Sequence, residues 1–168
     1  MNYAQLRKYD IANGTGVRCV LFVSGCTHHC KGCFNKEYQD FKYGDCWNKE
    51  SEDKVMSYVS DKNVVGITIL GGEPLDQTMD DDLLNLVKRI KSETDKNIWI
   101  YSGYTYEEII CDSKKKAIVE QCDVLVDGKF VQELADVRLK FRGSSNQRII
   151  DIQESLTQNK IIERNDLY

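Results

Sequence analysis

Short β-branched runs alternate with helical stripes along this chain. Val17-Arg18-Cys19-Val20-Leu21-Phe22-Val23 and residues 64–70 are almost continuously apolar, the pattern of strands covered on both faces. Residues 97–101 and 123–126 predict two further strands, and residues 137–141 and 148–152 two weaker ones. Between the strands, Leu83, Leu84, Leu86, Val87 and Ile90 form one apolar stripe at helical spacing. Asp80, Asp81 and Asp82 are expected in the first turn of that helix, with Lys88, Arg89 and Lys91 near its end, as the macrodipole favours. Val55, Met56, Tyr58 and Val59 predict an earlier helix, and residues 106–110 and 116–121 two later ones. Strand–helix alternation of this kind predicts an α/β fold with a mostly parallel sheet. A full eight-fold barrel needs roughly 250 residues. At 168 residues the expectation is a partial (β/α) barrel, shorter than a full TIM barrel. No repeat or linker divides the chain, so residues 1–168 read as a single domain. The tail from about residue 153 carries no motif, and its structure stays open between a last strand, a helix and a mobile segment.

Composition narrows the function classes. Twenty-three Lys+Arg against 27 Asp+Glu give a formal charge of −4, and the longest basic run is Lys114-Lys115-Lys116. A nucleic-acid groove needs concentrated positive charge, so no nucleic-acid partner is expected. No apolar run is long enough to span a bilayer, and Met1-Asn2-Tyr3 leads into mixed polar sequence without a signal-peptide core. A cytoplasmic protein without a membrane partner is expected. Seven cysteines are the anomaly. An odd count in a reducing compartment argues against a disulfide framework. Cys26, Cys30 and Cys33 crowd together while Cys19, Cys46, Cys111 and Cys122 are scattered.

Directly after the first predicted strand, Cys26-Thr27-His28-His29-Cys30-Lys31-Gly32-Cys33 spaces its thiols as C-x3-C-x2-C. Three thiolates can hold three irons of a cubic iron–sulfur cluster and leave the fourth open to a ligand, the logic that separates catalytic from structural metal sites. The same residues admit a zinc site of three Cys and one His, with Cys46 as another fourth ligand. They also admit a redox pair at Cys30 and Cys33. A second loop, Gly71-Gly72-Glu73-Pro74, follows the next predicted strand. Its glycines permit close backbone approach and its carboxylate accepts hydrogen bonds from an ammonium group. Alone, it reads equally as a turn before a helix.

Together the two loops resemble the radical S-adenosylmethionine superfamily. Asn13-Gly14-Thr15-Gly16-Val17-Arg18, Gly32-Cys33-Phe34-Asn35, Asp127-Gly128-Lys129-Phe130 and Phe141-Arg142-Gly143-Ser144-Ser145-Asn146-Gln147 resemble, within it, the activating proteins of anaerobic ribonucleoside-triphosphate reductases. That resemblance implies a [4Fe–4S] cluster on Cys26, Cys30 and Cys33, with S-adenosylmethionine chelating its open iron. It implies backbone of Gly32, Cys33 and Phe34 against the adenine, Gly71 and Gly72 near the methionyl part, and Glu73 on its ammonium. Reductive cleavage of the cofactor would give a 5′-deoxyadenosyl radical that takes hydrogen from a glycine of the class III reductase. The reductase would be the protein substrate, and flavodoxin or a similar low-potential donor the electron source. Nearby alternatives are an activase of another glycyl-radical enzyme and a small-molecule radical S-adenosylmethionine enzyme. A non-catalytic zinc-binding adaptor is the remote one. Many superfamily members carry an aromatic residue before the third cysteine, where this chain has Gly32.

Ser102 and Asp127, at the ends of two later predicted strands, are further candidates for cofactor contacts, beside plainer roles as turn or capping residues. Arg18 and Arg142 read as carboxylate or partner contacts, or as surface salt bridges. Cys19 reads as buried core filler. The Gly14-Thr15-Gly16 glycines precede a strand and lack the third glycine, so they do not make a dinucleotide fingerprint. No P-loop motif occurs.

Overall fold

The computed structural model describes residues 1–168. Seven strands form one sheet in the order β3-β1-β2-β4-β5-β6-β7. β2 (Arg18–Ser24) is buried at every position, as its continuous apolar pattern requires for a central strand. β4 (Gly66–Gly71), β5 (Asn97–Tyr101) and β6 (Val124–Asp127) follow it in parallel, in the positions the sequence predicts. β1 (Asn2–Asp10) runs antiparallel along β2, and β7 (Arg148–Asp151) antiparallel along β6. β3 (Asp45–Cys46) is a two-residue edge on β1. The result is an open mixed sheet, parallel through its middle, in place of a demonstrated partial barrel.

Helices α1 (Lys49–Val59) and α2 (Asp82–Glu93) supply the crossovers between parallel strands. Asn48 caps α1 by accepting from the Ser51 amide. Leu83, Leu86, Val87 and Ile90 of α2 are buried, as its stripe predicts. The helix begins at Asp82, so Asp80 and Asp81 precede it. The Met1 ammonium sits 2.7 Å from carboxylate oxygens of both Asp80 and Asp82. α3 (Tyr106–Ile110) opens with a reciprocal Thr105–Glu108 capping box. α4 (Ser113–Val119) starts three residues before the predicted position because Asp112 accepts from the Lys114 and Lys115 amides.

One expected strand is absent, one observed strand has no counterpart in the sequence pattern, and the tail, open between strand, helix and mobile segment, takes a helix and a bridge. β1 was not expected; its residues are only half-buried, so no strong alternation marks it. The strand expected at 137–141 is absent. The free edge of β6 is taken by β7, Val137 is fully exposed, and Phe141 adopts φ +56°. The tail is ordered: α5 (Ile152–Gln158) ends at left-handed Asn159, and the chain returns beside β7 through an Ile150–Glu163 bridge. No helix is long and apolar enough to cross a membrane.

Candidate cofactor site

The C-terminal ends of the parallel strands carry the chemistry-bearing loops, where open α/β sheets bind ligands. Backbone hydrogen bonds stitch the first two loops together. Gly72 donates to Val23 O and Glu73 to Gly25 O, both at 2.8 Å. A Cβ on Gly72 would overlap the carbonyl oxygens of Gly25 and Tyr38, so only glycine permits this approach. Above the junction lies a cavity of about 190 Å³. Cys26, Cys30, Cys33, Phe34, Gly71, Gly72, Glu73 and Ser102 all line it, which unites eight of the ten candidate residues from three separate segments.

The other two lie outside the lining. Gly32 (φ +73°) packs against the Gln132 side chain. Asp127 is buried; it accepts from the Tyr106 amide at 2.8 Å and from Arg148 Nε at 3.0 Å. It therefore fixes the start of α3 and an ion pair. Phe34 is 80% exposed at the mouth, its ring 5.2 Å from that of Phe130.

Glu73 is the most heavily bonded group in the cavity. Its Oε1 accepts from Ser102 Oγ at 2.8 Å and the Leu75 amide at 2.9 Å. Its Oε2 accepts from the Gly103 amide at 2.7 Å and His28 Nε2 at 3.0 Å. The His28 ring packs on Tyr104, centroids 4.4 Å apart, and directly over Gly103. Tyr104 donates to Asp76 Oδ1 at 2.7 Å, while the Thr27 amide and hydroxyl each donate to Asp76 Oδ2 at 2.8 Å. Thr27 and His28, inside the x3 gap, thus hold the two carboxylates of the Glu73–Asp76 turn. From the sequence, His28 reads only as a zinc ligand and the Tyr101–Tyr104 segment as one that could face the cofactor, while nothing marks Asp76, because these pairings bridge distant segments.

The three thiols line one cavity and are partly withdrawn from solvent. Burial pushes the Cys26 thiol up to about 11, and burial, then Cys33, raises that of Cys30. Such thiols deprotonate when a metal makes the thiolate favourable. No three His, Cys, Asp or Glu side chains converge on one metal position. His29 Nδ1 lies 3.2 Å from Gln39 Oε1, and Cys46 is exposed on β3.

The Arg142–Gln147 loop supports the far wall. Gln147 Oε1 accepts from the Gly143 and Ser144 amides at 2.8 and 3.2 Å, and its Nε2 donates to Gly128 O at 2.9 Å. Gly143 and Gln147 line the cavity, so they join the site. Neither candidate arginine contacts a carboxylate. Buried Arg18 donates to Thr68 Oγ1 and Ile67 O at 2.7 Å, and desolvation lowers it to about 10. Arg142 donates to Gln147 O and lies 4.0 Å from the Tyr168 ring centroid. Cys19 and Cys122 are buried in the core.

A family model described as a 4Fe-4S single cluster domain matches residues 12–150. A Vibrio cholerae protein named anaerobic ribonucleoside-triphosphate reductase-activating protein is 44% identical over 152 residues, covering 89% of this chain and 97% of the relative. Proteins of the same name are 44% identical in Escherichia coli K12 over 150 residues (88% and 96%) and 35% identical in Enterobacteria phage T4 over 150 residues (89% and 93%). The chain belongs to the family of anaerobic ribonucleoside-triphosphate reductase-activating proteins.

Proposed function

We propose that this protein is a radical S-adenosylmethionine enzyme that activates an anaerobic ribonucleoside-triphosphate reductase by generating a glycyl radical on it. The observation that carries the reading is the shared cavity, where the three C-x3-C-x2-C thiols meet the Gly71-Gly72-Glu73 turn. Cys26, Cys30 and Cys33 hold a [4Fe–4S] cluster. Gly72 lets the methionyl part lie against backbone, Glu73 takes its ammonium, and Phe34 covers the adenine at the mouth. Asp127 acts indirectly, by fixing the start of α3 beside Ser102 and Gly103. When bound, the cluster and cofactor supply an electron and a carbon radical able to remove hydrogen from a glycine α-carbon. The chain's own contribution is to orient the cofactor and exclude water. We read the sheet as the partial barrel of such enzymes, with the mouth of the cavity closed in part by the reductase. Electrons come from flavodoxin or a similar low-potential donor, and the reaction is cytoplasmic.

The test is anaerobic. The protein is reconstituted with iron and sulfide, reduced, and given S-adenosylmethionine and the reductase. Formation of 5′-deoxyadenosine and a glycyl-radical resonance is expected, with neither from Cys30→Ala. A reducible cluster that cleaves no cofactor, with or without the reductase, would sink the reading. Retention of zinc in place of iron would favour the adaptor.

A further inference from the structure

We propose that His28 is a positioning residue that competes with the cofactor's ammonium for Glu73 and yields its place when S-adenosylmethionine binds. The proposal rests on the cofactor reading above. A carboxylate offers about four acceptor directions. Glu73 has four protein donors, two on each oxygen, so an ammonium reaching it must displace one.

Three of the four are fixed. Leu75 and Gly103 donate from backbone, Leu75 within the turn that Glu73 itself caps. The Ser102 hydroxyl also accepts from the Tyr104 amide at 3.0 Å, which locks its rotamer. His28 alone donates through a rotatable side chain from a loop without helix or strand structure. Its ring lines the same cavity, so turning it away both frees Oε2 and opens space beside Gly103. The edge-on contact with Tyr104 and the bond to Glu73 are the interactions lost on release. Thr27 stays tied to Asp76, so the loop keeps its anchor while the ring moves.

The experiment uses reconstituted protein with the cluster oxidised, so that added S-adenosylmethionine stays intact. Calorimetric titration compares the parent with His28→Ala and with His28→Gln, which keeps an N–H donor of similar reach. Loss of a competing hydrogen bond to a charged group is expected to tighten binding by His28→Ala roughly ten-fold. His28→Gln is expected to return affinity toward the parent's. Mere structural damage would weaken binding in both, and affinity in His28→Ala equal to or below the parent's overturns the proposal. A second measurement needs no variant. Carbethoxylation by diethyl pyrocarbonate, read by mass spectrometry, is expected to modify exposed His29 throughout and buried His28 faster at saturating cofactor. Unchanged protection of His28 at saturation also overturns it. If the parent protein binds no S-adenosylmethionine at all, the cofactor reading fails and this proposal falls with it.

Discussion

At the scale of single residues, the site depends on approaches that only one side chain permits. Gly72 is the clearest case, because a Cβ there would meet two backbone oxygens that cannot swing aside. Gly72→Ala is therefore expected to lower stability by about 1–3 kcal/mol, as overpacking does, and to leave less iron per chain after reconstitution. Urea unfolding and iron analysis check the two effects separately. Glu107, on α3, offers a pH test that does not involve the thiols. The Arg148 guanidinium donates to both its oxygens, at 3.1 and 2.8 Å, and holds its carboxyl at about 2 against an ordinary value of 4.5. A depressed folded-state value contributes stability above the unfolded value and loses it as pH falls through the folded one. Glu107→Gln should thus cost a constant, small amount above about pH 5, under about 1 kcal/mol for a pair at the surface. The difference from the parent should shrink as pH falls from 4.5 toward 2. A difference that persists at the acid end would show that the pair is not its source.

At the scale of elements, the polar residues of the Arg142–Gln147 loop do the work a strand would otherwise do. Gln147 satisfies two amides and one carbonyl, and Asn146 Nδ2 donates to Lys129 O at 2.9 Å. Gln147→Ala should leave these half-buried backbone groups without partners, costing about 1–3 kcal/mol. Faster amide exchange confined to residues 128–131 and 143–144 is the expected signature, whereas uniform acceleration would indicate a global effect. The same loop shows why some elements were legible in the sequence and others were not. β2, β4, β5 and β6 were readable because strands buried on both faces must be apolar throughout. The residues at 137–141 alternate apolar and basic like a strand, yet which chain takes the edge of β6 is decided by residues 148–151. β1 hid for the opposite reason, its half-burial leaving a weak pattern. The cysteine spacing and the glycine turn are local signals and were legible. The His28–Glu73 contact joins residues 45 positions apart, and nothing near either one announces it.

For the whole molecule, the question is how an open sheet manages its edges, since an unpaired edge invites pairing with another chain. On one side the two-residue β3 covers only Asn2 and Tyr3, and the rest of β1 carries charge at Arg7, Lys8 and Asp10. The other edge is β7, and there the tail intervenes. The Asp151 amide donates to Ile162 O at 2.8 Å and that of Arg164 to Ile149 O at 2.7 Å, while Tyr168 Oη accepts from the Ile149 amide at 3.2 Å. The Tyr168 ring also covers Arg142, and so reaches the loop that walls the cavity. The family match ends at residue 150, so this cover lies beyond it. A chain ending at Asn159 keeps every cavity-lining residue but bares the outer edge of β7. It is expected to lose about 1–3 kcal/mol of stability and to self-associate through that edge. Urea unfolding and sedimentation velocity measure these two consequences. A monomeric truncated chain with parental stability would mean that the tail lies on β7 without protecting it. Loss of stability together with self-association would assign the edge to the tail, and the contact with Arg142 predicts that the Gly143 and Ser144 amides exchange faster as well.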